Sequence, residues 1–110
     1  MNKIDEYRIR KMLLKLGISS SLRGYKYILT ILPMLEDNNV TMGKIYQYVY
    51  EKEKAKSPND VERGVRYVID KSYKTRKILK KIYGKQPTVT EFLYDLVYNI
   101  DIFEEELKEE

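Results

Sequence analysis

Apolar residues along this chain recur at spacings of three and four, and the alternation of a half-buried strand is absent. Ile9, Met12, Leu13 and Leu16 form the first such stripe, which predicts a helix over Lys3 to Leu16 stopped by Gly17. The serine run at 19–21 offers caps for a second helix carrying Leu22, Tyr25, Ile28, Leu29, Ile31, Leu32 and Leu35. Those positions run nearly all the way round, so this helix is expected at the centre of a bundle. Pro33 cannot donate to the carbonyl of Leu29, which predicts a kink or an early end. Asp37 to Asn39 reads as a loop.

A third helix is expected after Thr41, with Ile45, Tyr48 and Val49 facing inward and an end between Glu53 and Lys56. Ser57-Pro58-Asn59-Asp60 is a strong helix start: serine caps, proline takes the first helical position, and Asp60 at the third can reach back to the cap. The fourth helix runs to about Tyr73. A short basic helix over Thr75 to Tyr83 stops at Gly84. Thr88 and Glu91 form a second capping box, opening a last helix with Phe92, Leu93, Leu96, Val97 and Ile100 inward. Phe103 prolongs that stripe into the tail. The expected fold is all-α, a compact six-helix single domain over residues 1–110 that contains a helix-turn-helix.

The fourth helix carries the candidate chemistry. At ~100° per residue, Val61, Val65, Val68, Ile69 and Ser72 share one sector, while Asn59, Glu62, Arg63, Arg66 and Asp70 take the other. Tyr67 and Lys71 flank the polar side. Arginine can bond both O6 and N7 of guanine, and glutamate can accept from N4 of cytosine. A short helix, a tight basic loop, a strongly capped helix with arginines outward and a basic helix after it match a helix-turn-helix. Gly64, unfavourable in mid-helix, predicts close approach of another backbone. Periodicity alone leaves open an ordinary surface helix, with Glu62 pairing to Arg66 and Arg66 to Asp70.

Charge sharpens this picture. Residues 44–85 hold 13 Lys and Arg against five Asp and Glu, while residues 101–110 hold six acids and one base. A basic middle of this kind is the footprint of a polyanion binder. The eleven tyrosines fall at helical spacing, as in Tyr46, Tyr48 and Tyr50, and read as core edges with wet hydroxyls. The chain has no histidine and no cysteine. Zinc sites, Ser-His triads and thiol nucleophiles are thereby excluded; no enzyme activity, cofactor or metal is expected. No apolar run reaches the ~20 residues of a membrane span, and the N-terminus lacks a secretory core. A cytoplasmic protein is expected.

Three segments then carry a resemblance: LGISSSLRGYKYI at 16–28, SPNDVERGVRYVID at 57–70 and QPTVTEFLYDLV at 86–97. Together they resemble the C-terminal effector domain of stage-zero sporulation protein A, the response regulator that commits endospore-forming bacteria to sporulation. The similarity runs from about residue 5 to residue 100. It implies a six-helix domain whose fourth helix enters the major groove of a short DNA box. Glu62, Arg63 and Arg66 match the family's base-reading positions, and Asn59 joins them as a base-reading candidate on the same face. Lys44, Lys56, Ser57, Tyr67 and Lys71 are the candidates for contacts to the DNA backbone. Asp60 departs from the family, which usually has arginine there.

The resemblance also implies a partner and a missing part. Effector domains of this family meet on tandem sites, so a homodimer on double-stranded DNA is expected. Members normally carry an N-terminal phospho-acceptor receiver domain, and here Met1 falls directly before the first helix. The expectation is either an excised effector domain or a free-standing one, and a free-standing one would not be gated directly by phosphorylation. The leading function is a sequence-specific transcription regulator. The alternative is a protein-interaction module, an antagonist of full-length relatives whose acidic tail screens the basic face.

Overall fold

The computed structural model describes residues 5–37 and 39–108. The expected helix start at Lys3, Asn38 of the expected loop, and Glu109 and Glu110 of the acidic tail lie outside the described residues. Helix α1 (Glu6–Lys15) opens on Asp5, whose carboxylate accepts from the N–H of Tyr7 at 3.0 Å and of Arg8 at 3.3 Å. It closes as the sequence predicts. Gly17 sits at φ 79°, its N–H donates to Leu14, and the N–H of Ile18 donates to Leu13, which is a Schellman closure.

Helix α2 (Arg23–Ile31) is not capped by the serines. Its N-cap is Leu22, which offers no side-chain bond, and the Ser19 hydroxyl accepts from the N–H of Ser21 instead. The α-helix ends early at Ile31, as Pro33 predicts, and the chain tightens into a 3₁₀ turn, Leu32–Glu36. That geometry suits a proline that has no N–H to give the Leu29 carbonyl. Helices α3 (Met42–Glu53), α4 (Pro58–Thr75) and α5 (Ile78–Tyr83) follow. Tyr48, expected inward on α3, is 45% exposed beside the Lys52 ammonium, because the buried side of α3 centres on Ile45 and Val49 with Tyr46 and Tyr50 at its edges.

The last predicted helix is two. Helix α6 (Val89–Tyr98) starts on a complete capping box, Thr88 with Glu91. Asn99 then leaves helical geometry at φ −134°, ψ 33°, with its amide group bonded back to Asp95 at 2.8 Å. Helix α7 (Ile100–Lys108) sets off in a new direction and packs against α5, α1 and α6. The turn lets Phe103 meet Phe92 edge-on at 5.9 Å and Tyr83 at 6.3 Å, fully buried. Outside the core, the two carboxylate oxygens of Glu104 accept from Nη2 and Nε of Arg8, at 2.6 and 3.0 Å. Among the described residues there are thus seven α-helices and one 3₁₀ turn, with no strand. No described helix is long and apolar enough to cross a membrane.

One cluster of buried side chains runs through all seven helices. At its centre α2 crosses α4, and the crossing is close because both helices present glycine there. A Cβ on Gly24 would overlap the carbonyl oxygen of Gly64 and stand 2.7 Å from Cγ1 of Val68. A Cβ on Gly64 would stand 2.8 Å from the Tyr27 ring. The backbone approach expected at Gly64 is therefore made by α2. A second tie fixes the far end of α4. The fully buried Ser72 hydroxyl donates to the Leu16 carbonyl at 2.7 Å, satisfying one of the free carbonyls where α1 ends.

Candidate nucleic-acid interface

The interface is built on α4 and begins with its cap. Ser57 Oγ accepts from the N–H of Asp60 at 3.1 Å, and Pro58 occupies the first turn, where no N–H is needed. This is half of a capping box; the reciprocal side-chain bond forms at Thr88 and Glu91, not here. Val61, Val65, Val68, Ile69 and Ser72 are all buried, so the opposite side of α4 must face outward.

That outward side carries Asn59, Arg63, Arg66, Tyr67 and Lys71, all exposed, and the half-buried Glu62 and Asp70. Glu62 reaches Arg66 at 3.3 Å, one of the two intrahelical pairs that periodicity allows. The other does not form. Asp70 turns to Lys74 at 3.2 Å and leaves Arg66 to Glu62. Arg63 makes no ion pair among the described residues. Two guanidiniums one turn apart therefore differ: one is oriented by a carboxylate and one is unengaged.

Arg63, Arg66, Tyr67 and Asp70 line one shallow depression together with Gln86. Gln86 was not among the sequence candidates. It lies in the loop between α5 and α6, two residues past Gly84 and directly before the buried Pro87. The available signal was its side-chain amide, which can pair with both N6 and N7 of adenine, beside a rigid proline. Of the remaining candidates, Ser57 is engaged in the cap and Lys44 lies exposed in the first turn of α3, whose N-cap is Thr41. Neither Lys44 nor Lys71 lines the arginine depression. Lys56 belongs to a different one, formed with α2.

The packing of α3 behind α4 adds a buried flank. The Tyr46 hydroxyl is pushed up to about 12, first by burial and then by the nearby Glu62, with Arg66 acting weakly the other way. It stays protonated at any physiological pH and so remains a neutral donor beside the Glu62–Arg66 pair. The turn joining α3 to α4 is shaped by Lys54, which ends α3 in the left-handed region at φ 56°, ψ 42°. For a residue with a Cβ that conformation costs ~1–2 kcal/mol.

A family model described as "Sporulation initiation factor Spo0A C terminal" matches residues 9–99. The match spans α1 through α6 except for the first turn of α1, and ends where Asn99 breaks the helix. No curated protein and no solved structure matches the chain.

Proposed function

The chain belongs to the Spo0A C-terminal family, helical DNA-binding domains of sporulation regulators and not a family of enzymes, and from that premise we propose that it is a sequence-specific reader of double-stranded DNA that regulates transcription. The observation that carries this is the outward face of α4, where Arg63 stands unpaired beside Arg66 and Glu62. Planar, directional groups at one-turn spacing are what base edges in the major groove require. Arg63 and Arg66 are assigned to guanine, Glu62 to cytosine or to the orientation of Arg66, and Asn59 to the first base beyond the helix start. Tyr67, Lys71, Lys44, Lys56 and Ser57 are assigned to the sugar-phosphate backbone, which positions the helix without specifying sequence. The protein acts in the cytoplasm, and two copies meet on tandem sites.

The second reading, a module directed at proteins with its acidic tail laid over the basic face, has no specific contact in its favour among the described residues. Glu104 is occupied by Arg8 on α1, and α7 packs on α5, α1 and α6. Fluorescence anisotropy with a selected duplex and its scrambled counterpart tests the reading. The selected duplex binds more tightly, and Arg63→Ala or Arg66→Ala removes ~1–3 kcal/mol on that duplex alone. Equal affinity for both duplexes would sink the specific reader, and a loss shared by both would reduce the arginines to phosphate contacts.

A further inference from the structure

A second depression lies between the start of α2 and the turn that joins α3 to α4. It is lined by Arg23, Lys26, Tyr27, Glu53, Lys54 and Lys56. Four of these six side chains are cations, and all four are exposed. The single acid, Glu53, is half-buried, and its Oε2 accepts the Thr30 hydroxyl at 2.8 Å. None of the four cations forms an ion pair among the described residues. Other surface cations, Arg63 among them, are unpaired too, whereas Arg8, Arg10, Arg66, Lys74 and Lys108 each have a carboxylate partner. With one acid, Glu53, among four cations, the depression carries an excess of positive charge that an anion placed among them would offset.

The backbone adds an independent sign. Lys54 is the non-glycine residue found at positive φ among the described residues. The ends of α1 and α5 solve the same closing problem with Gly17 and Gly84, which adopt the left-handed region without steric conflict. Here a lysine stands where glycine would adopt the same backbone without steric conflict. The pocket is also held in a fixed place relative to α4. Lys56 directly precedes the Ser57 cap, and Gly24, next to Arg23, is buried against Gly64.

We propose that this pocket is a phosphate clamp, holding a backbone phosphodiester of the DNA strand that borders the groove entered by α4. The ligand chemistry is a phosphate anion, bonded by the fork of Arg23 and neutralised by Lys26, Lys54 and Lys56. The proposal rests on the DNA-binding reading and adds to it a role for α2, which the recognition face does not contain. Its contribution is independent of base sequence, because a phosphate carries no base identity.

The test uses the full chain, a selected duplex and a scrambled duplex, with anisotropy titrations from about 50 to about 200 mM salt. The variants are Arg23→Gln combined with Lys26→Gln, and separately Lys54→Gly. The double variant is expected to weaken both duplexes by the same factor and to flatten the slope of log K against log salt by about 0.9, one phosphate's worth. Lys54→Gly is expected to raise Tm, by relieving the left-handed backbone, while lowering DNA affinity. A merely structural lysine would not give that opposite pair. Unchanged slopes and affinities in both variants, with wild-type binding and Arg63 dependence intact, overturn the clamp and leave the reader standing. Absence of wild-type binding to either duplex overturns both. A thermal-shift titration with inorganic phosphate supplies the last arm. Stabilisation that is lost in the variants, with the DNA slopes unmoved, makes a free phosphoryl compound the occupant and overturns the DNA assignment.

Discussion

Gly24→Ala is the sharpest test of how α4 is held. The added methyl would overlap the Gly64 carbonyl oxygen, with Val68 Cγ1 at 2.7 Å and the Gly64 carbonyl carbon at 3.1 Å. Two of these three atoms are helix backbone, so the overlap is relieved only by parting α2 from α4. Overpacking of this kind costs about 3 kcal/mol. Alanine's better helix propensity returns at most ~1 kcal/mol, leaving a net loss of about 2 kcal/mol. For a chain of 110 residues, an unfolding entropy of ~2.1 cal/mol/K per residue makes each kcal/mol worth about 4 °C. Tm should therefore fall by roughly 8 °C. Gly43→Ala is the control, because its Cβ would meet nothing nearer than Thr41 Oγ1 at 3.9 Å. There only the propensity gain remains, and Tm should rise by about 2–4 °C. Thermal unfolding followed by far-UV circular dichroism reads both. Shifts of the same sign in the two variants, or a Gly24→Ala loss under ~1 kcal/mol, would refute the claim that glycine sets this crossing.

Ser72→Ala removes the donor to the Leu16 carbonyl, held at 2.7 Å in a fully buried site, and should cost ~1–3 kcal/mol in urea denaturation; a neutral result would mean that water replaces the hydroxyl. Glu104 is held below the usual carboxylate range, first by its hydrogen bonds to Arg8 and then by the guanidinium charge. A lowered folded pKa gives stability that is complete above the unfolded value of ~4.3 and is lost as pH falls through the folded value. The stability gap between wild type and Arg8→Met should thus be constant near neutrality and close in acid, and a gap that persists at the lowest pH would contradict the pairing.

The parts of the fold that were legible in the sequence are those decided within one turn of backbone. Ser57 with Pro58, Thr88 with Glu91, Gly17 and Gly84 each satisfy orphan helix groups locally, and each stands where its pattern placed it. The outward arginines were legible for the same reason, since buried valines on α4 fix where Arg63 and Arg66 point. What was not legible depends on neighbours far along the chain. Asn99 gives no strong local stop, and the helix ends there because Phe103 gains the core against Phe92 and Tyr83 by turning. Tyr48 lies near the stripe of Ile45 and Val49, yet the space beside them belongs to other elements. Gln86 could not be assigned to the α4 face without knowing that the loop after α5 returns there. Lys54 looked like one lysine among many until its φ was known.

The close crossing of α2 on α4 links the core to the surface electrostatics. With Gly24 against Gly64, the first turn of α2 comes down beside α4, and its cations Arg23 and Lys26 face Lys54 and Lys56 across a shared depression. A bulkier pair of residues at the crossing would widen that gap and separate the four charges. Orientation of the arginine face and assembly of the basic pocket are then two consequences of one contact. Asp60 belongs to the same balance. At the third helical position a carboxylate favours the positive end of α4 by ~0.3–1 kcal/mol, whereas an arginine there would oppose it. If α4 enters DNA as proposed, an acid at its start would repel phosphate, and the cations of α2 and the α3–α4 turn beside that helix start would supply the opposing attraction.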